Sequence, residues 1–347
     1  MRRPTPTELP PPPAGKTGWP WTDETPALPS ARPDGSAWPL ISIVTPSYNQ
    51  GQFIEETIRS VLLQGYPELE YIIIDGGSGD QSVEIIKKYG PWLTYWVSEK
   101  DQGQSHAINK GFDRSTGLIL GWLNSDDILL PNALPTVAVN LPHPDEPVLL
   151  AGTAELRDVS LTRVISVFDR LPQTFSEVFS QYDTSFAQPS VFFTRRALKL
   201  AGVLREDLHY AMDLELWLRM ARHVPIRLIE QHLSWWRSHE DAKTWFGNPL
   251  AGLAEGEQVL QSYSQFVPSE IAKRTFDAVH WVQSRAWIDR GKNSIAGGDR
   301  KNSWVAAYRA ARVNVRTIGS RAWIGLVVRI ILPRSVRRLV FDRQAGD

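Results

Sequence analysis

The sequence predicts an α/β protein organised on a doubly wound sheet. Two observations carry this. Between residues 41 and 127, short β-rich runs alternate four times with segments of helical periodicity, the pattern of strand–helix–strand units. The runs end in polar turns, and in such sheets ligands collect at the carboxyl ends of strands. Past residue 250 the strand signals stop and the chain reads as helical. The expected organisation is a Pro-rich segment over 1–38, an α/β domain over 39–245 and a helical region over 246–347.

The elements follow in order. Residues 1–38 contain Pro10 to Pro13 and no apolar periodicity, which reads as a disordered or polyproline-type lead. Residues 41–45 form a β-rich strand broken by Pro46-Ser47-Tyr48-Asn49. Phe53, Ile54, Thr57, Ile58, Val61 and Leu62 then recur at helical spacing, and Gly65 with Pro67 stops that helix. A second strand over 70–75 ends in Asp75-Gly76-Gly77-Ser78-Gly79-Asp80, followed by a helix through Val83, Ile85 and Ile86. That turn lacks the G-x-G-x-x-G order of a dinucleotide fingerprint and follows the wrong strand. A strand over 95–98 leads to a helix carrying His106, Asn109 and Lys110. An apolar run over 118–123 then enters Asn124-Ser125-Asp126-Asp127. Later come a helix after Pro131, strands over 148–151 and 191–193, a short helix over 195–200 ended by Gly202, and a helix over 213–219.

Composition bounds the chemistry. The 347 residues include no cysteine, which excludes a disulfide framework, a thiolate zinc site and cysteine catalysis. Met1-Arg2-Arg3-Pro4 has no apolar run behind its charge, so no signal peptide is expected. Nothing reaches the ~18 apolar residues of a spanning helix. Net charge is zero, yet residues 300–347 hold 11 Lys and Arg against Asp342 and Asp347. The segment 323–332, with Arg321, Arg334, Arg337 and Arg338 around it, reads as an interfacial amphipathic helix or as a core helix with solvated arginines. The remainder has no basic patch of its own, and nucleic acid is not an expected partner.

Three places carry candidate chemistry. Asp126 and Asp127 repel each other unless a cation sits between them, for which a divalent metal on oxygen ligands is the usual answer. A solvated Asx-type turn is the plain alternative. Asp213 stands at a helix start, where it serves as a cap or as an ionised base. His239, after Trp235-Trp236-Arg237-Ser238, is polar enough in context to face a site, as a metal ligand or as a packed histidine.

In this order the pieces resemble the family-2 glycosyltransferases of the GT-A fold, over residues 39–243. The matching stretches are Val44-Thr45-Pro46-Ser47-Tyr48-Asn49, the turn from Asp75 to Asp80, Asn124-Ser125-Asp126-Asp127 and Gln188-Pro189-Ser190. Tyr210-Ala211-Met212-Asp213 with Leu216-Trp217-Leu218-Arg219, and Arg237-Ser238-His239, complete the set. The resemblance is closest to the branch that builds bacterial cell-surface polysaccharides. It implies a mixed, Rossmann-like sheet flanked by helices and extended by C-terminal helices. It also implies that Thr45, Pro46, Tyr48 and Asn49 line the nucleotide base pocket with Asp75 close to the base. His106, Asn109 and Lys110 are implied near the ribose and diphosphate, and Asn124 and Ser125 beside the donor. Asp126, Asp127 and His239 are the implied ligands of Mn²⁺ or Mg²⁺, and Asp213 the general base. Two departures stand out. The family often has Asp-Asp at Asp75-Gly76, and its D-x-D often begins with Asp where this chain has Asn124, which implies weaker metal binding.

The expected function is inverting, metal-dependent glycosyl transfer from a nucleoside-diphosphate sugar, UDP-linked, to a saccharide or lipid-linked saccharide. The expected location is the cytoplasm, peripheral on the inner face of the membrane, with an anionic surface as partner of the basic tail. Two alternatives remain. A nucleotidyltransferase would want a basic loop after the first strand, and residues 45–48 hold no Lys or Arg. A non-catalytic, membrane-anchored nucleotide- or sugar-binding module would not need Asp126, Asp127, Asp213 and His239 together.

Overall fold

A computed structural model describes residues 4–332, except 33, 142, 183–185, 241 and 244–247. The chain divides into two compact units, Met1–Gly247 and Asn248–Asp347.

In the first unit, β1 (Ile41–Ser47), α1 (Ile54–Leu62), β2 (Leu69–Asp75), α2 (Ser82–Tyr89), β3 (Tyr95–Ser98), α3 (Gln104–Arg114) and β4 (Ile119–Trp122) alternate as expected. β1 and β2 are buried along their whole length, as apolar strands covered on both faces must be. They pair in parallel with Ser47 opposite Asp75. β4 adds in parallel to β1 and β3 to β2, so the loops after these strands share one end of the sheet.

Beyond β4 the chain forms β5 (Ile128–Leu129), α4 (Ala133–Asn140), β6 (Leu149–Arg157), β7 (Val164–Phe168), α5 (Phe175–Ser180), β8 (Val191–Thr194), α6 (Arg195–Ala201), α7 (Met212–Ala221) and β9 (Ile226–Arg237). The sheet order is β3-β2-β1-β4-β8-β6-β9-β5, with β7 beside β6. β8 runs antiparallel to both β4 and β6, which makes the doubly wound sheet mixed.

Strands β5, β7 and β9 have weak sequence signals for different reasons. β5 has two residues, and most of β7 is exposed. β9 interrupts its apolar residues with exposed Glu230, Gln231 and His232. Trp235 and Trp236 at its end are half-buried rather than core: the Arg157 guanidinium lies 4.1 Å from the Trp235 ring centroid, and Phe168 packs on Trp236.

The lead segment corrects an expectation. Residues 4–32 and 34–38 are not a disordered lead but a belt against α1. Leu9, Trp21 and Trp38 are buried. Arg59 of α1, itself fully buried, donates to the carbonyls of Pro10, Pro20 and Trp21 at 2.9, 3.0 and 2.6 Å. Prolines cannot form a ladder, but their carbonyls can still be satisfied by a side chain. At Gly65, where φ is +62°, a Cβ would stand 2.5 Å from the Pro26 carbonyl oxygen. Only glycine lets the belt pass so close.

The second unit contains α8 (Pro249–Tyr263), α9 (Ser269–Ala296), α10 (Arg300–Val313) and α11 (Arg321–Ile331). The side chains of Asn248, Asp299 and Ser320 accept hydrogen bonds from the first turns of α8, α10 and α11, satisfying backbone donors that the helix leaves over. Ile288, Ile295, Ala307, Ala310, Leu326 and Ile330 form its core. The apolar segment over 323–332 therefore turns one side inward, while Ile324 and Ile331 are exposed. Arg334, Arg337 and Arg338 lie outside the described residues. Among the described residues no helix is long and apolar enough to cross a membrane.

Candidate active site

The turn after β4 is fixed by its buried neighbours. Asp126 and Asp127 are adjacent, yet their surroundings differ. Asp126 has a side-chain exposure of 19% and places Oδ2 2.9 Å from His239 Nε2. Asp127 is buried at 1%. Its Oδ1 accepts the Arg237 backbone N–H at 3.0 Å. Burial and the neighbouring Asp126 charge push its carboxyl well above the usual range, so it favours the neutral form.

Arg237 ties the pieces together. Its Nε donates to the Asp126 carbonyl at 2.8 Å, and its guanidinium pairs with Glu56 of α1 at 2.6 Å. The guanidinium also stands 4.7 Å from the Phe53 ring centroid, and Phe53 packs at 4.6 Å on His239. Burial opposes ionisation of Glu56, but Arg237 and the hydrogen bond from the Trp21 indole outweigh it and hold the carboxyl below its ordinary value. Glu56 has no sequence signal, because it follows Glu55 in a helical first turn where acids are ordinary.

Asn124 is fully engaged. Its Oδ1 accepts from Gln104 at 2.8 Å, and its Nδ2 donates to Gln188 at 3.0 Å. Gln188 in turn donates to the Trp122 carbonyl, which explains why residues 188–190 matter to the site. Ser125 is buried in the same turn. Lys243 donates to Gln104 and lies over the Tyr210 ring. Through these contacts the chain just before α7, three residues from Asp213, meets the Asn124 turn. Asp213 is half-buried and accepts the Leu214 N–H. α7 is set by stacking of Trp217 on Trp122, centroids 5.2 Å apart.

The other candidates separate into two groups. At the loop ends, Tyr48 is 63% exposed. Asn49 Oδ1 accepts from the Gly79 N–H, and the Asn49 N–H donates to Ser78 Oγ, joining the first two loops. His106 and Lys110 lie one turn apart on α3; Lys110 pairs with Glu99, and His106 Nδ1 is buried without a partner. The second group faces inward. Thr45 Oγ1 is 3.0 Å from the Tyr71 hydroxyl, and Pro46 is buried in β1. Asp75 is fully buried and accepts from the Gly77 and Ser78 amides and from the Ser78 and Ser98 hydroxyls. The Asn109 amide is spent on Leu204 and Glu206.

One acid was overlooked in the sequence. A Cβ at Gly76 would stand 2.7 Å from Asp101 Oδ2. The Asp101 carboxylate therefore occupies the space that a side chain at 76 would take, next to the second loop.

The donor set can be tested for a divalent cation. Among the described residues no group of three His, Asp or Glu converges on one point. One half-buried carboxylate and one imidazole nitrogen do meet, in Asp126 and His239. That suits Mg²⁺ or Mn²⁺, which are commonly held by one or two protein donors together with substrate phosphates.

Residues 42–198 match the model of glycosyl transferase family 2. An uncharacterised glycosyltransferase of Rickettsia typhi is 25% identical over 295 residues, spanning 79% of this chain and 84% of that protein. The putative teichuronic acid biosynthesis glycosyltransferase TuaG of Bacillus subtilis is 38% identical over 92 residues, 26% of this chain and only 36% of TuaG. Among solved structures, S. aureus TarS 1–349 in complex with UDP-GlcNAc superposes with a TM-score of 0.51 at 15% identity, covering 79% of this chain and 91% of that one. The mannosyltransferase PcManGT from Pyrobaculum calidifontis, in complex with GDP-Man and Mn²⁺, gives 0.50 at 18% identity, covering 90% of each. These structural likenesses are likenesses of the GT-A fold. The matched residues hold β2 to β8 and the Asp126 turn, so this stretch carries the features of glycosyl transferase family 2, and the chain is a glycosyltransferase.

Proposed function

We propose that this chain is an inverting, divalent-cation-dependent glycosyltransferase. Its donor is a nucleoside-diphosphate sugar, UDP-linked. Its acceptor is a hydroxyl of a saccharide or lipid-linked saccharide in cell-surface polysaccharide synthesis. The observation that carries this reading is the Asp126–His239 pair at the carboxyl end of β4. The Tyr48 ring offers a face for a base, and Asp101 beside Gly76 offers an acceptor for an imide N–H. UDP-GlcNAc in TarS and teichuronic acid in the name of TuaG support the donor and acceptor classes.

Asp126 and His239 would hold the cation, with Asp127 behind them keeping the turn in shape. Bound there, a divalent cation offsets the charge of the leaving diphosphate as a Lewis acid. Asp213 takes the proton of the acceptor hydroxyl as it attacks the anomeric carbon, help worth about 10²–10⁴-fold. One base and one displacement invert that carbon.

Seven Lys and Arg and no acid lie between residues 300 and 332. With exposed Trp281, Trp304 and Tyr308, they support peripheral binding to an anionic, cytoplasmic membrane face. Co-sedimentation with phosphatidylglycerol vesicles, falling steeply with salt, is expected; equal recovery with neutral vesicles would refute it.

The deciding experiment measures thermal stability with UDP, GDP, TDP and CMP, each with and without Mn²⁺. Ligand at 100 times its Kd adds about 2.7 kcal/mol. A Mn²⁺-dependent shift with UDP is expected, together with release of UDP from UDP-sugars. Asp213→Asn should keep the shift and lose the turnover. No shift with any nucleotide would remove the donor assignment, and unaltered turnover in Asp213→Asn would remove the base.

A further inference from the structure

The second unit holds a cavity to which the transfer reading gives no task. Its volume is about 360 Å³, and its walls include Glu257 of α8, His280, Gln283 and Trp287 of α9, and Arg309 and Arg312 of α10. That size lies within the usual range of small-ligand pockets, roughly 300–1,000 Å³.

The lining falls into two sets of groups. Glu257 is held by its neighbours: Oε1 is 3.0 Å from His280 Nε2, and Oε2 accepts from Gln283 Nε2 at 2.8 Å. The Gln283 amide also reaches the Leu253 carbonyl at 3.2 Å, which fixes it. The other set is cationic and aromatic. Trp287 is half-buried against the unit's core, and the guanidiniums of Arg309 and Arg290 lie 4.7 and 5.5 Å from its ring centroid. Neither Arg309 nor Arg312 has a hydrogen-bond acceptor or a carboxylate partner among the described residues. No acid between residues 300 and 332 can supply one nearby in sequence.

Guanidinium forks recognise planar or tetrahedral oxyanions bidentately. Stacking on the Trp287 indole holds the Arg309 guanidinium in place to meet an oxyanion, and Glu257, His280 and Gln283 offer both acceptors and donors to hydroxyls. A bare inorganic ion would leave Glu257, His280 and Gln283 unused, and a neutral sugar would leave both arginines unused. We propose that this cavity is a subsite for an anionic sugar, one bearing a carboxylate or a phosphate, belonging to the acceptor polymer. The assignment to an acceptor rests on the transferase reading, whereas binding of the anionic sugar does not.

The test uses the full chain without donor, in titration calorimetry. The probes are a glucuronate-containing trisaccharide, glucose 1-phosphate, an uncharged trisaccharide of the same length, inorganic phosphate and phosphatidylglycerol vesicles. Binding of one charged sugar at least tenfold tighter than the neutral trisaccharide is expected, and which one binds names the anion. The double variant Arg309→Gln, Arg312→Gln should abolish that preference. Both arginines are exposed, so its Tm and its hydrolysis of UDP-sugar in water should match the parent. Equal binding of charged and neutral sugars, an unchanged preference in the double variant, or response to vesicles or inorganic phosphate alone would each overturn the proposal. A preference for charged sugar in a protein that hydrolyses no nucleotide sugar would uphold the subsite and sink the transferase reading instead.

Discussion

Asp126 and Asp127 share a turn and differ in what surrounds them, so equal substitutions should have unequal effects. Asp126→Asn removes the half-exposed carboxylate opposite His239 and is expected to abolish any Mn²⁺-dependent stabilisation by nucleotide. Asp127→Asn keeps an acceptor for the Arg237 N–H and should preserve that stabilisation. The linkage agrees in sign. A carboxyl whose folded pKa is raised above its unfolded 3.8 stabilises below that value and loses its contribution as pH rises through the raised one. At pH 7 Asp127→Asn should therefore match or exceed the parent in urea midpoint; a loss of more than about 1 kcal/mol would contradict it. Glu56 has the opposite sign. Its folded pKa lies below the unfolded 4.5, so its pairing with Arg237 stabilises above 4.5 and is lost as pH falls through the lower value. Glu56→Gln should flatten the acid side of the stability profile and cost roughly 3–5 kcal/mol at neutral pH, since it strands a buried guanidinium.

The belt and α1 form one structural element in practice, joined by Arg59. Replacing Arg59 with Met keeps much of its volume but leaves the carbonyls of Pro10, Pro20 and Trp21 without that donor. Each unmet buried group costs about 1–3 kcal/mol, partly relieved where water can enter. A loss of roughly 2–5 kcal/mol is expected in urea unfolding, with early proteolytic cleavage inside residues 4–38. Cleavage no faster than in the parent would show that the belt is held by its tryptophans alone. Nothing in the sequence announces this, because a buried arginine without a carboxylate partner looks the same as any solvated helix arginine. The alternating elements from β1 to β4 were legible for the opposite reason: each carries its own periodicity, and each ends on a glycine, proline or polar turn. β9 was not, since exposed Arg227, Glu230, Gln231 and His232 break up its apolar residues.

At the scale of the whole chain, the sequence made the sheet class, the helical C-terminal region and the Asp126 turn legible. It left the partner networks unread. Asp126 and His239 are separated by more than a hundred positions, and only pairing of β9 with β5 and β6 carries one to the other. Asp75 shows the limit of a motif: the match is good, yet four donors bind its carboxylate into the turn. The acid-free span of α10 and α11 has a practical consequence. With a sequence pI near 7.1, the protein should pass through a cation-exchange column at neutral pH if its charge were spread evenly. Seven cationic side chains without an acid among them present the resin with a local surface instead of an average. The column reads that surface, and retention at zero net charge follows.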